Sequence, residues 1–197
     1  MYQYDSIIVS GPPVSGKSML EEGLLKQLKD WKFHSIGNLV RAGHEESKTK
    51  LPLSTWWSNL PEIEQVKLNE DLFDLVKNGK IIADTRYAVL CKDGNHLYKK
   101  TRKEIYKDVR LNSLLVFIEA PFDVRVERAQ LYREDYKTQS KEWIIAELEN
   151  REAQELRLGK EIFGINYQDK SVYDIVLDSA KMTVEQEVSA VMKKMKI

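Results

Sequence analysis

The sequence predicts an α/β protein with a parallel sheet of about five strands flanked by helices. Three observations carry that reading. Short apolar segments alternate with longer helical ones, and each crossover is long enough for a βαβ unit. The run Leu114-Leu-Val-Phe-Ile118 is continuously apolar, the mark of a central strand covered on both faces. Finally, the first strand leads into Ser10-Gly-Pro-Pro-Val-Ser-Gly-Lys-Ser-Met19, where Gly11, Gly16, Lys17 and Ser18 stand at the spacing G-x-x-x-x-G-K-[ST].

That spacing describes a phosphate-binding loop. Glycines let the backbone turn so that successive N–H groups face an anion, and the following helix adds its positive N-terminal end. Gly11, Pro12, Pro13, Val14, Ser15, Gly16, Lys17, Ser18 and Met19 are therefore expected to hold a nucleoside triphosphate. Lys17 is expected to reach the β- and γ-phosphates, and Ser18 to offer its hydroxyl to Mg²⁺. The competing reading, a chance glycine-rich turn, is disfavoured by the strand before the loop and the helix after it.

Composition bounds the rest. A chain of 197 residues fits one domain with a real core. Its 31 Lys and Arg balance 31 Asp and Glu, so no overall field recruits nucleic acid or an anionic membrane, and a small substrate is expected. Cys91 is the lone cysteine, which excludes an internal disulfide. With no basic-then-apolar leader and no membrane-length apolar run, an intracellular, cytoplasmic protein is expected.

In chain order, residues 4–10 read as the first strand. The helix of residues 19–29 shows Leu20, Leu24, Leu25 and Leu28 as one apolar stripe. Residues 33–36 are a second strand whose end carries Ser35, Gly37 and, four residues further, Arg41, a cation at a carboxyl end where open α/β sheets bind ligands. Residues 42–59 read as polar and irregular, with Trp56 and Trp57 favoured as anchors over base-stacking residues. Pro61 opens a helix closed by Gly79. Residues 80–86 form an apolar strand ending in Asp84, a candidate Mg²⁺ ligand, and Arg86, a candidate phosphate contact.

Residues 98–110 are locally basic and read as a solvated helix face. After the central strand, Pro121 starts a helix on which Arg125 and Arg128 share a face. Ser140 caps a long, charge-dense helix expected to stop at Gly159. Residues 173–177 are the fifth strand, and Thr183 caps the last helix.

Together these pieces resemble the cytidylate kinases, particularly the short archaeal type, within the nucleoside monophosphate kinases. The resemblance spans most of the chain. It rests on the loop Ser10 to Ser18; Ser35-Ile-Gly-Asn-Leu-Val-Arg41, similar to the family's Ser-x-Gly-x-x-Phe-Arg; Ala120-Pro-Phe-Asp-Val-Arg-Val-Glu-Arg128, similar to Ala-Pro-x-x-x-Arg-x-x-Arg; and Tyr173-Asp-Ile-Val-Leu-Asp178. Arg151-Glu152 followed by Ile162-Phe-Gly-Ile165 is similar to the lid region.

The resemblance implies a single P-loop kinase domain with a core (1–36, 80–120, 171–197), an acceptor-binding insertion (about 37–79) and a lid (about 128–165). It implies transfer of the γ-phosphoryl of Mg·ATP to CMP or dCMP. Lys17, Arg128 and Arg151 would be catalytic; Ser35, Gly37, Arg41, Asp84 and Arg86 would bind the acceptor; Ser18 and Asp84 would hold Mg²⁺. Departures stand beside it: Thr85-Arg86 replaces Gly-Arg, Val40 replaces an aromatic, Leu158 stands where a second lid arginine is expected with Arg157 one place earlier, and Asn166 replaces an acidic residue. On an unbroken helix Arg151 and Arg157 point ~120° apart. Two rivals remain open: a P-loop kinase for another small molecule, with Asp84 as base, and a nucleotide-dependent binding or switch module without turnover.

Overall fold

The computed structural model describes residues 2–91 and 111–196. The basic stretch 98–110 lies outside the described residues. Five parallel strands, β1 (Ser6–Ser10), β2 (Lys32–Ser35), β3 (Ile81–Asp84), β4 (Ser113–Glu119) and β5 (Ile175–Asp178), form one sheet in the order β2-β3-β1-β4-β5. Among the described residues the α-helices are α1 (Lys17–Gln27) after β1, α2 (Ile36–Glu46), α3 (Leu53–Asn59) and α4 (Glu62–Val76) after β2, α5 (Phe122–Tyr132) and α6 (Lys141–Leu158) after β4 and α7 (Val184–Met195) after β5, while a 3-10 turn, Ala88–Cys91, follows β3.

The two-residue period of a strand divides the core. Ile7 and Val9 of β1 face one way and meet Leu20, Leu24 and Leu28 of α1 with Val188 and Val191 of α7. Ile8 faces the other way, with Ala83, Leu115 and Phe117, against Val66, Leu72 and Val76 of α4 and the aromatic group Phe163, Tyr167 and Tyr173. A smaller cluster of Val126, Ala129, Tyr136, Ile144 and Leu148 joins α5 to α6. Each fully buried aliphatic side chain contributes about 1.5–3 kcal/mol, so the α1 stripe fixes the helix that follows the loop.

Helix ends follow local chemistry. The Ser140 hydroxyl accepts the Trp143 N–H, and Thr183 and Gln186 form a reciprocal capping box. Gly79 closes the segment after α4 in the left-handed region, φ +68°.

Two expectations are corrected. Residues 42–59 are not irregular: α2 continues to Glu46, and residues 53–59 form α3. Tertiary contacts order this segment. Trp56 meets the His44 ring at 5.4 Å, and the Glu147 carboxylate of α6 accepts the Ser54 hydroxyl at 2.8 Å and the Ser54 N–H at 3.4 Å. Asn150 adds a third bond, donating to the Ser54 hydroxyl at 3.0 Å.

Gly159 does not stop α6. Its backbone stays helical and the chain passes into a π turn, Gly159–Phe163, which Gly164 ends at φ +71°. Gly159 is there for close approach, because a Cβ would lie 3.1 Å from both the Tyr87 ring and the Ile165 carbonyl oxygen. No helix among the described residues is long and apolar enough to cross a membrane.

Candidate active site

The carboxyl ends of the strands open into a cavity of about 860 Å³ that brings the predicted residues together. β1 lies mid-sheet, so the loop after it sits between two flanks: the ends of β2 and β3 on one side, β4 and β5 on the other.

The loop's glycines are obligatory. Gly11 has φ +143°, and a Cβ there would stand 2.0 Å from the Ile118 carbonyl oxygen of β4. Gly16, at φ +105°, caps α1 and packs on Ser179, whose hydroxyl donates to the Ser15 carbonyl at 2.7 Å. Ser18 and Met19 lie exposed in the first turn of α1. Lys17 is buried and folds back onto its own loop, donating to the Gly11 carbonyl at 3.0 Å and the Pro12 carbonyl at 2.9 Å. Burial first, and the Arg86 charge second, bring its ammonium down to about 7.

On the β2/β3 flank the Ser35 hydroxyl caps α2 by accepting the Asn38 N–H at 3.1 Å, and donates to Asp84 Oδ2 at 3.2 Å. The other Asp84 oxygen, Oδ1, is buried without a hydrogen bond. Gly37 leaves room here, since a Cβ would lie 3.5 Å from both Arg41 and Asp84. Arg41 donates to the Asn38 side-chain oxygen. Burial, then the charges of Arg133 and Arg151, lower its guanidinium below the ordinary arginine value. Arg41, Arg133 and Arg151 thus lie close enough to repel one another and all three line the cavity, with Arg133 paired to Asp135 at 2.8 and 3.0 Å.

Arg86 is held differently. Its Nε donates to Glu155 Oε2 of α6 at 2.6 Å, and its NH1 lies 3.8 Å from Asp84 Oδ1. Burial opposes the charge, but the Glu155 and Asp84 carboxylates outweigh it and hold this guanidinium above its usual value. Arg151 donates to the Tyr136 hydroxyl at 3.0 Å rather than pairing with Glu147 or Glu155, each of which has another partner. Arg157 is exposed and outside the cavity.

On the β4/β5 flank Arg128 is pinned by two bonds of 2.7 Å, to the Ser179 hydroxyl and carbonyl. Arg125, three residues earlier, is 5% exposed; it donates to the Pro13 carbonyl at 3.2 Å and pairs with Glu152. It supports the loop from beneath.

Sequence reasoning passed over Glu155, Arg133, Glu21 and Glu187. Glu21, one turn after Lys17, is buried with Oε1 unbonded, and burial followed by the Asp84 charge pushes its carboxyl up to about 8. Only its i,i+4 position from Lys17 could have drawn notice.

The donor set fits Mg²⁺. Asp84 Oδ1 is an unbonded buried acceptor and Ser18 an exposed hydroxyl, while no group of three or more His, Cys, Asp or Glu able to hold a metal occurs among the described residues. A cation held through few protein oxygens is the habit of Mg²⁺ in sites that also bind phosphate.

A parallel sheet with a glycine-shaped anion loop at its centre and arginines facing that loop defines a P-loop phosphotransferase. Solved structures similar to it in shape include shikimate kinase from Bacteroides thetaiotaomicron (TM-score 0.56, 13% identity, covering 95% of this chain and 96% of that one). Shikimate kinase from Acinetobacter baumannii, in complex with shikimate, is similar to the same degree (TM-score 0.56, 13% identity, 98% and 93%). At such identities the likeness is one of fold. No protein-family model matches the chain. Among curated proteins it is similar to the cytidylate kinases of Methanosarcina acetivorans (33% identical over 175 residues, 89% of this chain and 87% of that protein) and Methanosarcina mazei (30% over 178 residues, 89% and 87%). That of Methanopyrus kandleri is 27% identical over 188 residues, 95% of this chain and 90% of that protein. The chain belongs to the cytidylate kinase family and is an ATP-dependent nucleoside monophosphate kinase.

Proposed function

We propose that the enzyme transfers the γ-phosphoryl of Mg·ATP to the phosphate of CMP or dCMP. The observation that carries this reading is the grouping of Arg41, Arg133 and Arg151, which faces the loop across one cavity with Arg86 beside it. The cytidylate kinase relatives favour cytidine as the acceptor base.

In this reading the loop amides and Lys17 hold the donor phosphates, Lys17 leaving its own loop's carbonyls to do so. Ser18 and Asp84 would hold Mg²⁺, which would supply charge neutralisation for the donor phosphates. Arg41 and Arg86 clamp the acceptor phosphate, with Ser35 and Gly37 shaping its berth. The acceptor oxygen is already anionic near neutral pH, so positioning and charge neutralisation supply the catalysis and no strong base is needed. Arg128 and Arg151 meet the transferring group. Residues 37–79 act as the acceptor-binding insertion and 128–165 as a lid whose closure excludes water, the competing acceptor.

Steady-state turnover with a panel of nucleoside monophosphates tests the reading. The expected result is the highest kcat/KM with CMP or dCMP. Turnover only with a hydroxyl acceptor would favour a different small-molecule kinase, and nucleotide binding without turnover a switch module.

A further inference from the structure

Glu147, Asn150 and Gln154 follow one another along one stripe of α6, and the hydrogen bonds that join them through Ser54 of α3 have a single sense. Glu147 is 6% exposed and, as a carboxylate, only accepts; it takes the Ser54 N–H at 3.4 Å and the Ser54 hydroxyl at 2.8 Å. With its proton given to Glu147, Ser54 Oγ is left to accept, and Asn150 Nδ2 donates to it at 3.0 Å. That orientation turns Asn150 Oδ1 toward Gln154, whose Nε2 donates to it at 3.2 Å. The Gln154 amide is thereby left with its oxygen unused, and Oε1 is buried without a hydrogen bond.

Gln154 and Ser54 both line the cavity, together with Trp57, one turn along α3 from Ser54, and Val40 of α2. Glu147 itself does not line it. Arg151, three residues before Gln154 and on the same face of α6, lines it as well, so the amide stands beside a cation assigned to the transferring group. The wall is apolar apart from the amide and the hydroxyl, the usual make-up of a surface that takes a ring and orients it with few polar groups. A buried acceptor without a partner costs stability, and a donor that arrives with the ligand completes it.

We propose that Glu147, from outside the cavity, sets the acceptor-base preference by fixing the sense of this chain, so that Gln154 offers an oxygen that accepts from the exocyclic amine of cytosine. Uracil carries a carbonyl at the same ring position, and two acceptors facing each other repel. The inference rests on the acceptor reading given above. Gln154 is the group that meets the base; Glu147 is a positioning residue that acts through it. A glutamine at 147 can reverse the chain. Its carbonyl accepts the Ser54 N–H while its amide donates to Ser54 Oγ, Ser54 then donates to Asn150 and Asn150 to Gln154, which is left presenting an N–H instead of an oxygen.

The test compares CMP with UMP at saturating ATP in wild type, Q154M and E147Q. Wild type is expected to show a kcat/KM about tenfold or more higher for CMP than for UMP. Q154M, of similar length but without the amide, should bring the two values within about twofold of each other by losing on CMP. E147Q should lower the value for CMP and raise that for UMP, a change of opposite sign that a merely structural role does not produce. Melting temperatures verify folding, and S54A, which cuts the chain in the middle, replaces E147Q if folding is lost; it should bring the ratio within about threefold. A folded E147Q, S54A or Q154M that keeps the wild-type ratio of CMP to UMP overturns the inference and leaves the kinase reading intact. Equal use of CMP and UMP by wild type overturns the inference together with the cytidine preference, and absence of turnover with every monophosphate overturns the proposed function itself.

Discussion

The two flanks of the cavity handle their cations in opposite ways. On the β4/β5 side Arg128 and Arg125 are fastened to backbone carbonyls, of Ser179 and Pro13, so their positions are set before any ligand arrives. On the β2/β3 side and its facing helix, Arg41 and Arg151 rest on neutral groups, Asn38 and Tyr136, while Arg86 lies between the Glu155 and Asp84 carboxylates and Arg133 pairs with Asp135. A cation on a neutral partner keeps most of its field for an incoming anion. A cation tied to backbone is part of the wall. In the proposed reading, the flank given to the donor is built for shape and the flank given to the acceptor for charge.

The largest departure from that contrast should come from the loop between the flanks. Lys17→Ala is expected to lower turnover about 10³-fold or more, because it removes the cation assigned to the transferring phosphates. Its melting temperature should hold or rise, since Lys17 is buried at the expense of its charge. Near-normal turnover in this variant would remove the central assignment.

Next in size are the acceptor arginines. Arg41→Ala and Arg86→Ala should each weaken monophosphate affinity by about 1.5–3 kcal/mol and leave ATP affinity almost unchanged. Separate titrations with ATP and with CMP measure this. Loss of ATP affinity with retained CMP affinity would exchange the two flanks. Arg86→Ala should also lower the melting temperature, since it strands the Glu155 carboxylate, whereas Arg41→Ala should not.

A smaller effect sharpens the picture on α6. Arg151→Ala should lower kcat with little change in either dissociation constant, and Arg157→Ala should do less. Single-turnover rates at saturating ATP and CMP decide; an unchanged rate for Arg151→Ala would reduce that arginine to a packing role.

The smallest signal is a proton. With Lys17 near 7 and Glu21 near 8 in the free enzyme, a bound polyphosphate raises both values, so ATP binding takes up protons at pH 8. Uptake at Lys17 fades below pH 6, where it is already charged. Calorimetry in buffers of different ionisation enthalpy reads the count, and zero uptake at pH 8 contradicts the assignment.

What the sequence disclosed follows the range of the interactions. The loop, the alternation of strands and helices, and the Ser140 and Thr183 caps depend on neighbours a few residues away and were legible. Arg41, Arg86, Asp84 and Arg128 stood out as candidates because strand ends and a spaced motif mark them, and all four line the cavity. The Arg86–Glu155 pair joins residues 69 apart in sequence and the Ser54–Glu147 bond residues 93 apart, and no local pattern encodes either. For the same reason α3 read as irregular: its seven residues are too short to hold as an isolated helix and depend on α2 and α6 for order. Gly159 misled because a glycine after a helix usually ends it, whereas here the constraint is the Tyr87 ring.

The bond between Ser54 and Glu147 has a mechanical consequence. Through it α3 and α6 are tied so that they would move as one lever. Moving α6 alone would break three hydrogen bonds, each worth about 0.5–1.5 kcal/mol, and strand a buried carboxylate. Moving the pair together breaks none of them. A swing that withdrew Arg151 from the loop would therefore carry Trp57, on α3, along with it.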